Sequence, residues 1–383
     1  MFCVLADDLT GAAELAGITL KFGLTSEIKN EFSGPLQSDV LVVNTKSRIV
    51  DEITAAKINK NACHYMLPLN PDWIFKKTDS VLRGHVRIEI QAILDACGIR
   101  KCLLIPANPR LGRTMVAGKY YINDIEIAQT AFADDPDYPC KTSDVLSLLG
   151  KDAKSDTAFL NKNQELPSSG IFIGQVKDEQ SVIRWANRVD DQLLPAGAAE
   201  FFTKILLKKG FKYNEDVNAP ATDYGKILFV CGSSHENSRL AVAQAGRQGA
   251  AIFSMPEKLI YNMDNNLLEK WQWDIKAAFN KSDKVILTVA DQKISSKETA
   301  RRIQNVFART IALLLLRLQL NTLVVEGGET AQEITKRLKI DHFFPKNLLA
   351  AGVVELQTKT ENPATVIIKP GSYKWPESLW HFN

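Results

Sequence analysis

The chain has 383 residues, and at roughly 150 residues per domain this sets two domains as the starting expectation. Hydrophobic residues make up 45% and charged residues 24%, as in an ordinary globular chain and unlike a disordered, collagenous or membrane-embedded one. A net charge of +3, from 47 basic and 44 acidic residues well interspersed, carries no nucleic-acid or membrane-surface signature, so any anion site must be local.

From the N-terminus, the apolar run Phe2–Ala6 reaches Asp7 and Asp8 at once. It lacks the basic region and long apolar stretch of a signal peptide, and the cytoplasm is the expected location. Strands are predicted over Phe2–Ala6, Val40–Val43, Trp73–Phe75, Cys102–Ile105 and Ile171–Ile173, with helices over Ala12–Phe22, Val86–Ala96 and Glu179–Val189. The polar segment from Phe132 to Gln164, with Pro136 and Pro139, reads as an excursion or flap on the first domain. A polar stretch from Phe211 to Thr222 reads as a linker, which puts the domains at 1–222 and 223–383. Beyond it, strands are predicted over Ile227–Val230, Ala251–Phe253, Lys284–Val289, Thr322–Val325 and Thr365–Ile368, and helices over Asn237–Gly246, Lys297–Leu318 and Ala331–Leu338. Strands alternating with helices predict an α/β fold of two domains, each a mainly parallel sheet flanked by helices. The run Ile311–Leu316 lies between Arg309 and Arg317, far short of the roughly 20 residues of a membrane span, and reads as part of a buried helix. Cys3, Cys63, Cys97, Cys102, Cys140 and Cys231 form no CxxC pair and have no histidines at zinc spacing, so they read as reduced, mostly buried thiols.

Three motifs of the first half follow predicted strands. Asp7 and Asp8, in Ala6-Asp7-Asp8-Leu9-Thr10-Gly11-Ala12, sit where ligands collect in open α/β sheets and could activate a hydroxyl or hold Mg²⁺; helix capping by Asp8 or Thr10 is the plainer alternative. Lys76-Lys77-Thr78-Asp79-Ser80-Val81-Leu82-Arg83-Gly84 combines cations, a carboxylate and hydroxyls suited to an anionic polyol, against the alternative of a capped helix start with solvated lysines. Pro106-Ala107-Asn108-Pro109-Arg110-Leu111-Gly112-Arg113-Thr114 offers Arg110 and Arg113 to an anion. No P-loop is present, since Gly112 to Gly118-Lys119 is one residue too long and Tyr120 stands where Ser or Thr is needed.

The second half repeats the strand-to-turn design. Cys231-Gly232-Ser233-Ser234-His235-Glu236 and Glu326-Gly327-Gly328-Glu329-Thr330 could cradle phosphate with backbone amides, and Ile368-Lys369-Pro370-Gly371 adds a cation. One such turn is ordinary, but three in one domain favour a nucleotide site. His235 stands beside serines, yet no GxSxG elbow accompanies it, so capping or nucleotide contact suits it better. His64, His342 and His381 have no catalytic context, and His85 is left unassigned.

In order along the chain, ADDLTGA at 6–12, KKTDSVLRG at 76–84, PANPRLGRT at 106–114, the serine turn at 232–234, GGET at 327–330 and KPG at 369–371 resemble the four-carbon acid sugar kinase family. The resemblance implies a sugar-acid-binding N-terminal domain, a nucleotide-binding C-terminal domain and an active site in the cleft between them. It implies ATP and Mg²⁺ as cofactors and the terminal hydroxyl of threonate, erythronate or a 3-oxo relative as acceptor. Carried over by residue, Asp7, Asp8, Lys77, Asp79, Arg83, Gly112 and Arg113 fall on the sugar side, with Asp8 or Asp79 as base. Ser233 or Ser234, Gly327, Gly328, Glu329, Thr330, Lys369 and Gly371 fall on the ATP side. The chain departs from the family pattern at Glu329, where Asp is usual, at Cys231, where Ser is usual, at the turn containing Pro370, Ser372, Tyr373 and Lys374, and at Glu14, often Asp. The rival readings are a dinucleotide-dependent oxidoreductase, disfavoured because no GxGxxG follows a predicted strand, and a non-catalytic sugar-acid sensor. The expected partners are small molecules, with neither nucleic acid nor membrane; a homo-oligomer is compatible with the sequence, which is silent on that point.

Overall fold

Runs such as FCVLA, VLVVN, ILFVC and TLVVE are apolar and β-branched along their whole length rather than alternating, the mark of parallel strands buried on both faces. A computed structural model describes residues 1–34, 36–135, 138–150, 156–214, 223–233, 236–289 and 296–382. The chain divides into two compact units, Met1–Asn214 and Glu215–Asn383. Residues 215–222, including most of the expected linker and the residue before the expected boundary, lie outside the described ones.

The first unit runs β1 (Phe2–Ala6), α1 (Leu9–Leu20), β2 (Ser26–Lys29), β3 (Val40–Asn44), α2 (Glu52–Met66), β4 (Ile74–Lys77), α3 (Val86–Cys97) and β5 (Lys101–Ile105). It continues through β6 (Arg113–Val116), β7 (Lys119–Ile122), β8 (Ile125–Glu126), a single turn α4 (Val145–Leu148), β9 (Thr157–Leu160), β10 (Gly170–Gly174), α5 (Glu179–Asn187), β11 (Leu193–Gly197) and α6 (Ala199–Lys208). The main sheet has the order β2-β3-β1-β4-β11-β5-β10-β9 with parallel pairs throughout, and β6-β7-β8 form a small antiparallel sheet. Its core includes Val4, Leu5, Val43, Phe75 and Ile105, all fully buried, with Phe2 stacked on Trp73 at 4.6 Å and Phe75 edge-on to Phe202 at 5.1 Å.

The second unit runs β12 (Ile227–Cys231), α7 (Glu236–Arg247), β13 (Ala251–Met255), α8 (Glu257–Tyr261), α9 (Asn265–Ala278) and β14 (Lys284–Val289). After it come α10 (Lys297–Leu315), β15 (Thr322–Glu326), α11 (Gly328–Arg337), β16 (His342–Ala350), β17 (Val353–Thr358) and β18 (Thr365–Lys369). Its strands follow the order β13-β14-β12-β15-β18-β17-β16, parallel as far as β18, with β17 and β16 antiparallel. Phe229, Trp375, Trp380 and Phe382 pack together, so the C-terminal segment covers this core.

Both units are therefore mainly parallel α/β sheets. Several expectations need correction. Helix α1 starts at Leu9 rather than Ala12, because the Asp8 side chain accepts from Gly11 N and caps the turn. The excursion after Phe132 also supplies a sheet strand, since β9 pairs with β10; its residues 136–137 and 151–155 lie outside the described ones. Strand β11 contains Pro195, a residue that argues against a central strand; here β11 pairs along its length with β5 but with β4 only at Ala196 and Gly197. All six cysteines are free; five are buried, and Cys97 is half-exposed. Among the described residues no helix is long and apolar enough to cross a membrane.

Candidate active site

Strands β3, β1 and β4 are adjacent and parallel, with Ala6 in register with both Asn44 and Lys77, so the segments that leave them emerge at one edge. That geometry gathers Asp7 and Asp8 after β1, Arg48 after β3 and Asp79 after β4. The Arg48 guanidinium forks onto Asp7, with Nε donating to Oδ2 at 2.7 Å and Nη2 to Oδ1 at 3.0 Å. Its Nη1 donates to Asp8 Oδ2 at 2.8 Å, and Nη2 lies 3.8 Å from Asp79 Oδ1. Thr45 holds the Arg48 loop to β1, its N and Oγ1 both donating to Ala6 O, at 2.8 and 2.9 Å. Tyr138 Oη donates to the Arg48 carbonyl. Arg48 carried no weight in the sequence reading, although Thr45-Lys46-Ser47-Arg48 directly follows a predicted strand, as the other motifs do.

The two lysines of β4 point to opposite faces, as strand alternation demands. Lys76 is fully buried and pairs with Glu89 of α3 at 2.6 Å, a structural role. Lys77 turns toward α1, 3.6 Å from Glu14, and donates to Thr78 O at 2.9 Å. Gly11 lies between Lys77 and Asp8: a Cβ there would stand 2.8 Å from Asp8 Oδ1 and 3.2 Å from Lys77 Nζ. The missing side chain lets carboxylate and ammonium come this close to the helix backbone.

Asp79 grips Arg83. Its Oδ2 accepts from Val81 N at 3.2 Å, Arg83 N at 3.1 Å and Arg83 Nε at 3.0 Å, and its Oδ1 from Arg83 Nη2 at 2.9 Å. Arg83 Nη1 reaches on to Asp135 Oδ2 at 3.0 Å. Arg113, also buried, donates to the neutral Ser80 hydroxyl. Gly112 (φ +66°) serves the neighbouring hairpin, where a Cβ would collide with Asn123 Oδ1 at 1.9 Å. Arg110 points elsewhere, pairing with Glu179 at 2.7 Å.

The electrostatics follow from burial opposed by these cations. Burial pushes the Asp8 carboxyl up, but Arg48, Lys77 and the hydrogen bonds from Thr10 and Gly11 outweigh it and hold it below the usual range. Asp79 is likewise held far below that range, because Arg83 and Arg48 overcome its burial. Asp7 is raised by burial; Arg48 opposes the shift and neighbouring Asp8 adds to it. Among the described residues no group of three or more His, Cys, Asp or Glu side chains is arranged to hold a metal.

In the second unit the register Cys231↔Glu326↔Lys369 sets the ends of β12, β15 and β18 side by side. Their three glycine turns therefore form one edge. From β12 the chain crosses to β13 on one side, and from β15 it proceeds toward the other. The turns thus flank a point where strand order reverses, the usual ligand position in open α/β sheets. Ser233 packs against Gly371, where a Cβ would meet Ser233 Oγ at 2.5 Å, and Gly232 packs against Thr330, whose Oγ1 would lie 2.8 Å from a Cβ. Gly327 has φ +95° and precedes the first turn of α11, which begins at Gly328 and includes Glu329 and Thr330. Glu329 accepts from Gln304 Nε2 at 3.0 Å. Beneath the turns, Lys369 pairs with fully buried Glu326 at 2.6 Å and also donates to Pro370 O at 3.0 Å, while Ser238 Oγ donates to Glu326. Burial raises the Glu326 carboxyl against the pull of Lys369. Ser234 and His235 lie outside the described residues.

Comparison with known proteins agrees with this division. Residues 2–190 match the model of a sugar-binding N-terminal domain, and residues 228–373 that of a nucleotide-binding C-terminal domain. The chain is 24% identical to D-threonate kinase of Bordetella bronchiseptica, over 97% of this chain and 93% of the relative. It is 22% identical to 3-oxo-tetronate kinase of Brucella melitensis, over 97% and 92%, and 31% identical to D-erythronate kinase of Heliobacterium modesticaldum, over 41% and 37%. The chain belongs to the four-carbon acid sugar kinase family. This sugar-acid kinase is thus a phosphotransferase with an alcohol group as acceptor. Its fold is shared by a solved Haemophilus influenzae protein, TM-score 0.70 at 19% identity over 98% of each chain. A solved Salmonella typhimurium protein also shares it, TM-score 0.79 at 18% identity, over 99% of this chain and 97% of that one.

Proposed function

We propose that the protein transfers the γ-phosphoryl of ATP to the terminal 4-hydroxyl of a four-carbon sugar acid of the threonate, erythronate or 3-oxo-tetronate class. The observation that carries this reading is the placement of an ionised carboxylate, Asp8, and an ammonium, Lys77, on either side of Gly11 at the carboxyl edge of the sheet. Relatives named D-threonate kinase and 3-oxo-tetronate kinase, each aligned over 97% of this chain, support the substrate class.

Asp8 is better suited than Asp79 to orient the acceptor. Among the described residues Asp8 Oδ1 accepts one N–H, that of Gly11 at 2.8 Å, whereas the Asp79 oxygens hold Arg83 on both sides. The substrate O–H breaks toward Asp8 as its oxygen bonds the γ-phosphorus and the bond to the β-phosphate oxygen breaks. Phosphoryl transfer asks mainly for positioning and charge stabilisation, so a carboxylate of low pKa suffices. Lys77 supplies positive charge to the transferring group. Arg113 anchors the substrate carboxylate, because among the described residues its side chain meets the neutral Ser80 hydroxyl while Arg83 is already held by Asp79 and Asp135. Asp7, bound to Arg48, sets the orientation of the cluster. The turns bearing Ser233, Gly327, Gly328 and Gly371 hold the phosphates through backbone N–H groups, with Glu329 and Thr330 opening α11 and Lys369 fixing the third turn from below. A Mg²⁺ carried on the nucleotide phosphates that the glycine turns hold would neutralise their charge during transfer.

The test is coupled ADP release with Mg²⁺ against D-threonate, D-erythronate and 3-oxo-tetronate, with Asp8→Asn as control. Turnover on one of these acids, with the Asn variant reduced at least about a hundredfold, is expected. Nucleotide binding without turnover on any of them would overturn the substrate class.

A further inference from the structure

A ring of contacts closes beside the carboxylates of the first unit. Tyr138 Oη donates to the Arg48 carbonyl, and Arg48 Nη2 lies 3.8 Å from Asp79 Oδ1. Asp79 Oδ1 accepts from Arg83 Nη2 at 2.9 Å, and Arg83 Nη1 donates to Asp135 Oδ2 at 3.0 Å. Asp135 Oδ1 then accepts from Tyr138 N at 2.9 Å, which completes the circuit. Asp135 and Tyr138 lie on the polar excursion that follows Phe132, 52 positions beyond Arg83 and 90 beyond Arg48.

Tyr138 is itself held on several sides. Cys140 N donates to Phe132 O at 2.9 Å, and the Phe132 ring lies 5.7 Å from the Arg83 guanidinium. Further on, Tyr120 N of β7 donates to Ser143 O at 2.8 Å and ties the excursion to the small sheet. The Tyr138 ring stands edge-on to His85, centroids 6.2 Å apart, and His85 Nε2 donates to Val50 O at 2.6 Å, two residues after Arg48. With its N–H and its ring fixed, Tyr138 offers its hydroxyl as a fixed point to the backbone at residue 48.

We infer that Tyr138 is a positioning residue for phosphoryl transfer: through the Arg48 carbonyl it keeps the guanidinium seated on Asp7 and Asp8, and so fixes the carboxylate that orients the acceptor hydroxyl. The inference rests on the reading of Asp8 as that carboxylate. One guanidinium holds both aspartates, so a shift of the Arg48 backbone moves the pair together. Reactive geometry is lost over displacements of about 1 Å. The same shift weakens a cation that opposes burial at Asp8, which also faces Lys77, Asp7 and the Thr10 and Gly11 donors. Its carboxyl then rises, and the acid limb of kcat moves to higher pH.

Coupled ADP-release kinetics of the full chain on its preferred four-carbon acid test this, with thermal melts alongside. The proteins compared are wild type, Tyr138→Phe, Arg48→Lys, the double variant and Asp8→Asn. Tyr138→Phe keeps the ring against His85 and loses only the hydroxyl, so it should fold. Its kcat should fall about fivefold to a hundredfold, with KM for acid and ATP within about threefold and the acid limb moved up. Because Tyr138 acts through Arg48, adding Tyr138→Phe to Arg48→Lys should lower kcat by less than about twofold further. Unchanged kcat and acid limb in Tyr138→Phe, with Asp8→Asn reduced about a hundredfold, would overturn the inference and leave the Asp8 reading standing. A lower Tm with unchanged kcat, or full additivity in the double variant, would also overturn it, since the hydroxyl would then serve the fold alone or act elsewhere. Asp8→Asn at wild-type kcat, or wild type without turnover on any of the three acids, would sink the Asp8 reading and this inference with it.

Discussion

Replacing Arg48 with Gln removes the cation that bridges Asp7 and Asp8 and lies near Asp79 while keeping a polar side chain of similar length. The loss comprises three hydrogen bonds, at 2.7, 3.0 and 2.8 Å, from a guanidinium on a residue 9% exposed. Breaking a buried ion pair from one side costs about 3–5 kcal/mol, since the orphaned charge stays buried. At about 2–4 °C per kcal/mol for a unit of this size, the first unit should melt about 6–20 °C lower. The pH dependence has a definite sign. Asp8 and Asp79 are held below their unfolded value near pH 4, so their contribution is present above that value and is lost as pH falls through the folded one. Without Arg48 both carboxyls rise, and the variant should lose stability and activity at a higher pH than wild type. Asp7 acts in the opposite sense: its pKa is raised chiefly by burial, so its contribution is full below the unfolded value and is lost as pH climbs through the raised one. Circular-dichroism melts and coupled ADP-release rates between about pH 4 and pH 8 read both effects. Arg48→Lys, which keeps the charge but not the fork, should fall between the two. An Arg48→Gln protein that melts within about 2 °C of wild type, with unchanged kcat and acid limb, would refute the reasoning.

Gly11→Ala should separate activity from stability. Alanine suits a helix better by up to about 1 kcal/mol, which offsets part of the displacement its Cβ forces on Asp8 Oδ1 at 2.8 Å and Lys77 Nζ at 3.2 Å, so kcat should fall at least about tenfold with a smaller change in Tm. Arg113→Ala should raise KM for the acid by roughly tenfold to a hundredfold with a smaller effect on kcat, and an uncharged polyol analogue should be insensitive; equal losses on both would contradict the anchor role. Lys369→Met leaves Glu326 buried and unpaired and should cost about 3–5 kcal/mol in denaturant melts of the second unit; adding Glu326→Gln should recover part of it.

Ten of the strands that build the two main sheets were legible because parallel, doubly buried strands are uninterrupted apolar runs. Besides β2, β17 and the small β6-β7-β8 sheet, three strands escaped notice because they break that rule for visible reasons. β11 contains Pro195, β16 interrupts its pattern with Pro345, Lys346 and Asn347 and carries register shifts, and β9 follows a long polar excursion. Helix α2 was missed because its interior carries Lys57, Asn59, Lys60 and Asn61, which blur the apolar stripe, although Asp51 caps it with a bond to Thr54 N at 2.9 Å.

The candidate site was legible in its list of residues and illegible in its division of labour. Residue type marks Lys76 and Lys77 as equal cations; strand alternation then sends Lys76 to Glu89 in the core and Lys77 to the other face, beside Gly11 and Glu14. Residue type likewise marks Arg83 and Arg113 as equal anion binders, until Asp135, 52 positions beyond Arg83, occupies the fork of the former. Arg48 was overlooked because its importance lies in the adjacency of β3, β1 and β4, a long-range fact that no window around position 48 contains. The same holds for Glu326 and Lys369, which are 43 positions apart and meet only because β15 and β18 are neighbours. Motifs at strand ends thus reveal which chemistry the edge of a sheet can hold. Strand order decides which charges are neutralised within the protein and which remain to meet a substrate.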